Sequence, residues 1–168
     1  MAENSINISR KVANAQEEFA KIETRAYINI KQMTKFQIKV GEPIIYDIDF
    51  INTGKTPAYK VRAASQWKTG TGVYPQEIKI IEYQVSEGIE ATIGGGQIQS
   101  FTFGDGEVPH IFKQQDSISV FSGKYKLFVA GKIIYEDKFN SEHFTRFAFL
   151  YDYKNHAFIS YKHFNDAN

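Results

Sequence analysis

The chain reads as a mainly β protein, an antiparallel two-sheet sandwich preceded by one α-helix. Three observations carry that expectation. On either side of the segment Asn52-Thr-Gly-Lys-Thr-Pro57, two runs alternate with a period of two. Ile44, Tyr46, Ile48 and Phe50 share one face against Asp47 and Asp49, and Tyr59, Val61, Ala63, Ser65 and Trp67 oppose Lys60, Arg62, Gln66 and Lys68. Only an extended strand sends successive side chains to opposite faces, so each run is a half-buried strand. All four prolines, at 43, 57, 75 and 109, fall in breaks between such runs, where a missing amide donor disturbs no ladder. No helical stretch separates one strand from the next, which argues against parallel crossover units and for antiparallel pairing.

Taken in order, residues 5–24 follow a different period. Ile8, Val12, Ala15, Phe19 and Ile22 recur at spacings of four, three, four and three, the narrow apolar seam of a helix. Glu17 and Lys21 stand one turn apart in the favourable order, which adds a few tenths of a kcal/mol. The seam is expected to pack on the chain's own domain, with a dimerising stalk or the continuation of a membrane helix as alternatives. Residues 1–24 thus form a connector or stalk, and residues 25–168 form the sandwich.

Strand signals follow at 27–31 and at Phe36, Ile38 and Val40, with Gly41-Glu-Pro43 marking the break before the first alternating run. Thr69-Gly-Thr-Gly72 opens a loop that reaches Pro75, residues 77–85 form an Ile-rich strand, and Gly94-Gly-Gly96 opens another that runs through Phe103. Residues 104–115 read as irregular with a short helical turn. Strands are expected at 124–130, 132–139, 143–151 and 157–161, joined at the polar tips Asn140-Ser-Glu142 and Asp152-Tyr-Lys-Asn155.

Composition narrows the function. A chain of 168 residues suits one domain with a sizeable core. Lys plus Arg number 20 against 19 Asp plus Glu, so no broad field draws nucleic acid or an anionic membrane. Fourteen Phe and ten Tyr suit strands whose rings fill the space between two sheets. The absence of Cys excludes disulfides, thiolate zinc sites and cysteine nucleophiles. No apolar run approaches the roughly 20 residues that cross a bilayer, so the chain as given is expected to be soluble and not to insert in a membrane.

Several of these segments together resemble known bacterial sequences. Asn52-Thr-Gly-Lys-Thr-Pro-Ala58 followed by an alternating strand is similar to the turn of bacterial immunoglobulin-like domains, including the adhesion-related modules described as CARDB. A closer resemblance is to a widespread group of uncharacterised bacterial membrane-anchored proteins. It is carried by Arg25-Ala-Tyr27, the same turn, Gly131-Lys-Ile-Ile-Tyr-Glu-Asp-Lys-Phe139, Thr145-Arg-Phe147 and Phe164-Asn-Asp166, and it spans residues 25–166. The resemblance implies an immunoglobulin-like sandwich of about seven to nine strands. It also implies one or two membrane helices ahead of the polar helix, hence membrane association of the full-length natural protein, and no assigned reaction.

Candidate chemistry is sparse. Gly54-Lys-Thr56 imitates the end of a phosphate-binding loop, but Asp49 stands where the first glycine is required and Pro57 leads into a strand rather than a helix. Gly94-Gly-Gly96 reads as a loop that needs positive φ. His110, His143, His156 and His163 match no ligand spacing, although the last three lie near Asp137, Asp152 and Asp166. No serine sits in a Gly-x-Ser-x-Gly elbow, and no carboxylate pair is spaced for glycoside chemistry. The expectation is a non-enzyme without cofactor or metal.

Three structural assignments remain. Asn52 accepts a backbone donor within its turn, Gly54 supplies positive φ and Pro57 fixes the exit. With Phe139 opposite Phe144, Asp137 is expected to face Arg146 across a hairpin and pair with it between aromatics, the alternative being two independent solvated charges. Lys60, Arg62 and Lys68 line one strand face, which a solvated outer surface explains as well as a nucleic-acid contact does, and no nucleic-acid partner is expected. The function that follows is a non-catalytic interaction module for a protein partner, with self-association through the N-terminal helix as a further expectation. One alternative is a small-molecule or carbohydrate-binding sandwich using Trp67, Tyr74 and Tyr153. Another is a metal-dependent hydrolase using the C-terminal His and Asp residues.

Overall fold

The second strand shows how the alternation is realised. In β2 (Ile45–Asn52), Tyr46, Ile48, Phe50 and Asn52 are buried and the residues between them are half-buried. Fully burying side chains of this size contributes roughly 1.5–3 kcal/mol each, which fixes the inward face. These observations come from a computed structural model that describes residues 2–72, 74, 90–104, 111–161 and 166–168, with side chains from Ile6 onward. The expected strand at 77–85, Pro75, Pro109, His110 and His163 lie outside the described residues.

Strand β1 (Ile28–Gln37) lies antiparallel to β2 and replaces the two strands expected at 27–31 and after Phe36. Register shifts between Ile30 and Gln32 and between Met33 and Lys35 absorb the change of phase, as bulges do. Ile28, Ile30, Met33 and Phe36 therefore all reach the core. On the far side of β2 runs β5 (Ile98–Phe103), completing a three-stranded sheet of order β1-β2-β5.

The larger sheet is built from β3 (Ala58–Gly70), β4 (Ala91–Ile93), β6 (Lys126–Glu136), β7 (Glu142–Asp152) and β8 (Ala157–Ser160), in the order β4-β3-β6-β7-β8. A short β9 (Asp166–Ala167) also pairs with β7. Every pairing is antiparallel. Three strands in the order of A-B-E face a sheet in the order of C′-C-F-G with β8 added beyond G, the layout of an immunoglobulin-like sandwich with one extra edge strand. The fold class predicted from the sequence is the one observed.

Strand β6 is a correction to the two strands expected at 124–130 and 132–139. It continues through Gly131 because a Cβ there would run into the Phe147 ring and the Ala64 carbonyl, so glycine admits a close approach instead of ending the strand. The main core lies between the sheets, where Phe50 and Phe147 meet edge to face at 5.4 Å. A smaller cluster of Phe128, Ala130 and Ala148, with Leu150 and Tyr161 beside it, covers the opposite face of the larger sheet. Strand β6 is covered on both faces, hence its nearly continuous burial.

Two helices complete the described residues. Helix α2 (Gln114–Phe121), which the sequence did not announce, contributes Val120 to the core. Helix α1 (Ala2–Thr24) fills the predicted range with Lys21 3.0 Å from Glu17, but its packing is a correction. Ile8, Val12, Phe19 and Ile22 are exposed rather than laid against the domain. The two sheets already close over each other, and among the described residues the helix is tied to them at its end. Tyr27 Oη donates to the Ile22 carbonyl at 3.0 Å, and Lys55 Nζ meets Glu23 Oε1 at 2.7 Å. Among the described residues no helix is long and apolar enough to cross a membrane.

Candidate functional site

The end of the sandwich where α1 enters collects the sequence's singular segments. Asn52 continues the inward phase of β2, so its amide is delivered into the core. Its Oδ1 accepts from the amides of Tyr27 at 3.1 Å and Gly54 at 2.9 Å. Its Nδ2 donates to the carbonyls of Thr56 at 2.7 Å and Ile93 at 2.9 Å. One fully buried side chain thus joins the start of β1, the turn before β3 and the end of β4. Gly54 is required for a different reason from the expected one. Its φ is not positive, but a Cβ would strike the backbone from Arg25 to Tyr27. In the triple-glycine loop, Gly96 does take the left-handed φ of 76° and donates its amide to the Asn52 carbonyl at 2.8 Å. Pro57 leads directly into β3, as its fixed φ suits.

Beside this junction β3 carries an irregularity that the alternation did not show. The register with β6 shifts between Tyr59 and Arg62, and Lys60 adopts φ of 47°. A non-glycine residue in the left-handed region is costly and marks a specially held position. The bulge exchanges inward residues: Ala58 and Val61 are fully buried, and Tyr59, expected inward, is 40% exposed. Lys60 Nζ then reaches Glu136 Oε2 at 2.9 Å.

Tyr59 and Lys60 form one wall of an open cleft of about 560 Å³, with Ala91 and Thr92 of β4 and with Glu136, Asp137, Lys138 and Asn140 at the end of β6 and the turn beyond. Its floor is shaped by Asp137, whose Oδ1 accepts from the amides of Phe139 at 2.8 Å and Ser141 at 3.1 Å. Asp137 Oδ2 lies 2.9 Å from His143 Nε2. Burial alone pushes this carboxyl up; the hydrogen bonds from His143, Ser141 and Phe139 outweigh it, and its pKa lies below the ordinary value. With its oxygens engaged, Asp137 shapes the cleft rather than serving it as a free base. The groups left on the surface are one aromatic ring, an amide and charges of both signs, a set suited to recognition by contact and hydrogen bonding.

The predicted Asp137–Arg146 pair does not form. Strand β6 ends at Glu136, which pairs with Glu142, so Asp137 belongs to the turn and Arg146 faces Lys132. Three donors converging on Asp137 stop the strand before the expected register can be reached, and Asn140 turns the chain with φ of 59°. Arg146 instead lies 3.6 Å from Asp166 and 5.2 Å from the Phe144 ring. The signal available in the sequence was Asp137 followed by Asn140-Ser141, since Asp side chains bind amides two residues on and Asn tolerates positive φ.

The three candidate ligand-facing rings do not form one platform. Trp67 is half-buried on the core face, 5.9 Å from Phe112. Tyr74 is exposed with Lys126 Nζ 5.4 Å from its ring, and Tyr153 lies over Gly123. His143, the second residue of β7, and His156, in the turn past its other end, stand roughly 30 Å apart by strand rise. His156 Nδ1 lies 3.1 Å from Tyr151 Oη. Among the described residues no group of three or more His, Cys, Asp or Glu is disposed to hold a metal ion. The basic face of β3 is partly neutralised, with Lys60 on Glu136 and Arg62 Nη2 4.0 Å from Glu142.

Comparison of the chain with known protein families and with curated proteins finds no match.

Proposed function

We propose that this chain is a non-catalytic, immunoglobulin-like interaction module that holds a protein partner at the cleft beside the α1 junction. The observation that carries the reading is the bulge at Lys60. It spends backbone strain to turn a tyrosine out of the core onto the rim of a concave, mixed-charge surface. Tyrosine combines a large apolar area with a hydroxyl and loses little rotamer freedom, which makes it a frequent anchor at interfaces. The reading includes membrane association of the full-length natural protein. That part rests on the resemblance of the segments between Arg25 and Asp166 to membrane-anchored bacterial proteins.

The test is affinity capture with the full-length gene product in its native cell, repeated with Tyr59→Ala. A partner held by the parent and weakened at least about tenfold by the variant supports the cleft. A partner that binds both equally, with both proteins equally stable, rejects it. Recovery of the full-length product away from the membrane fraction rejects the association part. Binding of oligosaccharides with no protein captured would favour the carbohydrate alternative, which has lost Trp67 as an exposed platform.

A further inference from the structure

Helix α1 presents an apolar stripe that none of the described residues covers. Along the stripe Ile8 is 62% exposed, Val12 50%, Phe19 72% and Ile22 51%. Exposed rows of this size mark a surface that another element covers. Their spacing is that of alternating d and a positions of a two-stranded seam, with Ile8, Ala15 and Ile22 at d and Val12 and Phe19 at a. The flanking charges then decide what covers it. Lys11 and Glu18 occupy g positions, and Glu23 occupies an e position. Lys11 has no carboxylate three or four residues away on its own helix, where Asn7, Ile8, Asn14 and Ala15 stand.

We propose that α1 pairs with α1 of a second copy of this chain, antiparallel, in the register that sets Val12 against Ala15 and Ile8 against Phe19. In that register the two-fold axis places Lys11 beside Glu18 of the other copy twice, joining opposite charges at both flanks. A parallel pair would instead set Glu18 against Glu23 twice, a repulsive contact. The antiparallel register also aligns the two helix dipoles favourably. Residue 2 of one copy then lies level with residue 25 of the other, so the overlap spans the whole helix of about 34 Å. It ends where each sandwich begins, and the two sandwiches stand at opposite ends. This self-association is independent of what the cleft holds.

Sedimentation equilibrium of the whole chain tests the pairing, with circular dichroism to show that each variant keeps its sandwich. The parent should dimerise with concentration and Val12→Asp should be monomeric. Lys11→Glu and Glu18→Lys should each weaken the dimer roughly tenfold, and the double exchange should restore it to within about threefold, given exposed pairs made twice. Because the chain has no cysteine, Ile8→Cys and Phe19→Cys chains can be mixed and oxidised, and the disulfide expected is the mixed one. A parent that stays monomeric to about millimolar concentration overturns the proposal. So does tightening by Glu18→Lys, or disulfides only between like chains, since both signify a parallel pair.

Discussion

Asp137 is 3% exposed and its carboxylate takes hydrogen bonds from one imidazole and two amides. Asp137→Ala strands those partners in a buried turn and is expected to cost about 2–4 kcal/mol in a urea melt at pH 7. Acid should reproduce part of the loss. The folded carboxyl has a pKa below the unfolded value, so the unfolded chain binds more protons in the interval between the two. The contribution is therefore fully present above the unfolded pKa of about 3.9 and is lost as pH falls through the folded value. The gap between parent and Asp137→Asn should accordingly narrow below about pH 4, and a gap unchanged by acid would contradict the assignment. Asn52 is a stronger case, because its fully buried amide serves four backbone groups. Asn52→Ala should cost about 3–5 kcal/mol by the same melt. Asn52 was legible as a turn residue from its neighbours Gly54 and Pro57. Its burial was also written in the sequence, since it stands in phase with Tyr46, Ile48 and Phe50. Asp137 was misread because alternation continues through it in the sequence, while the hydrogen bonds that end the strand are made by amides that carry no residue signature.

Strands whose two faces differ were legible from their period, as in β2 and most of β7. Elements that change phase or are covered on both faces were not. The alternation divides β1 in two because its bulges at Lys31 and Thr34 break the count. β6 was divided because glycine reads as punctuation when its cause lies on another strand. Helix α2 offers only Ser119 and Val120 as buried residues, too few to show a period. The β6 reading makes a firm prediction. Gly131→Ala drives a methyl into the Phe147 ring and the Ala64 carbonyl and should destabilise by more than about 2 kcal/mol. An unaffected melting temperature would mean that the strands do not approach as described. The β3 bulge predicts a contrast. Lys60→Gly relieves the left-handed φ while losing only an exposed ion pair, so stability should stay within about 1 kcal/mol of the parent. Tyr59 would remain on the cleft rim.

At the scale of the molecule, the two sheets close a core to which no described residue of the long helix belongs. The sandwich buries its own aromatics, Phe50 on Phe147 between the sheets and Phe36 on Tyr151 and Phe158 toward the other end. Tyr135 Oη reaches the carbonyl of Ala26, and Thr145 Oγ1 donates to the carbonyl of Ile28 at 2.6 Å, so β1 is fastened to the larger sheet from its first residues. Among the described residues, a hydroxyl bond and an exposed ion pair cross from the helix to the sandwich. Contacts this open to solvent add little to stability. Removal of residues 1–24 is therefore expected to leave the sandwich's unfolding free energy within about 2 kcal/mol, with an unchanged denaturant slope per residue of the core. A loss larger than about 3 kcal/mol, measured at a concentration where the parent is monomeric, would show that the helix is part of the domain's core after all. A helix that adds so little to its own domain, yet keeps an apolar seam along its length, is what the pairing proposed above requires. Length and period were readable in the sequence, but the choice between the chain's own domain and another surface was not. That choice depends on whether the sheets leave apolar area uncovered, which only the assembled sandwich decides.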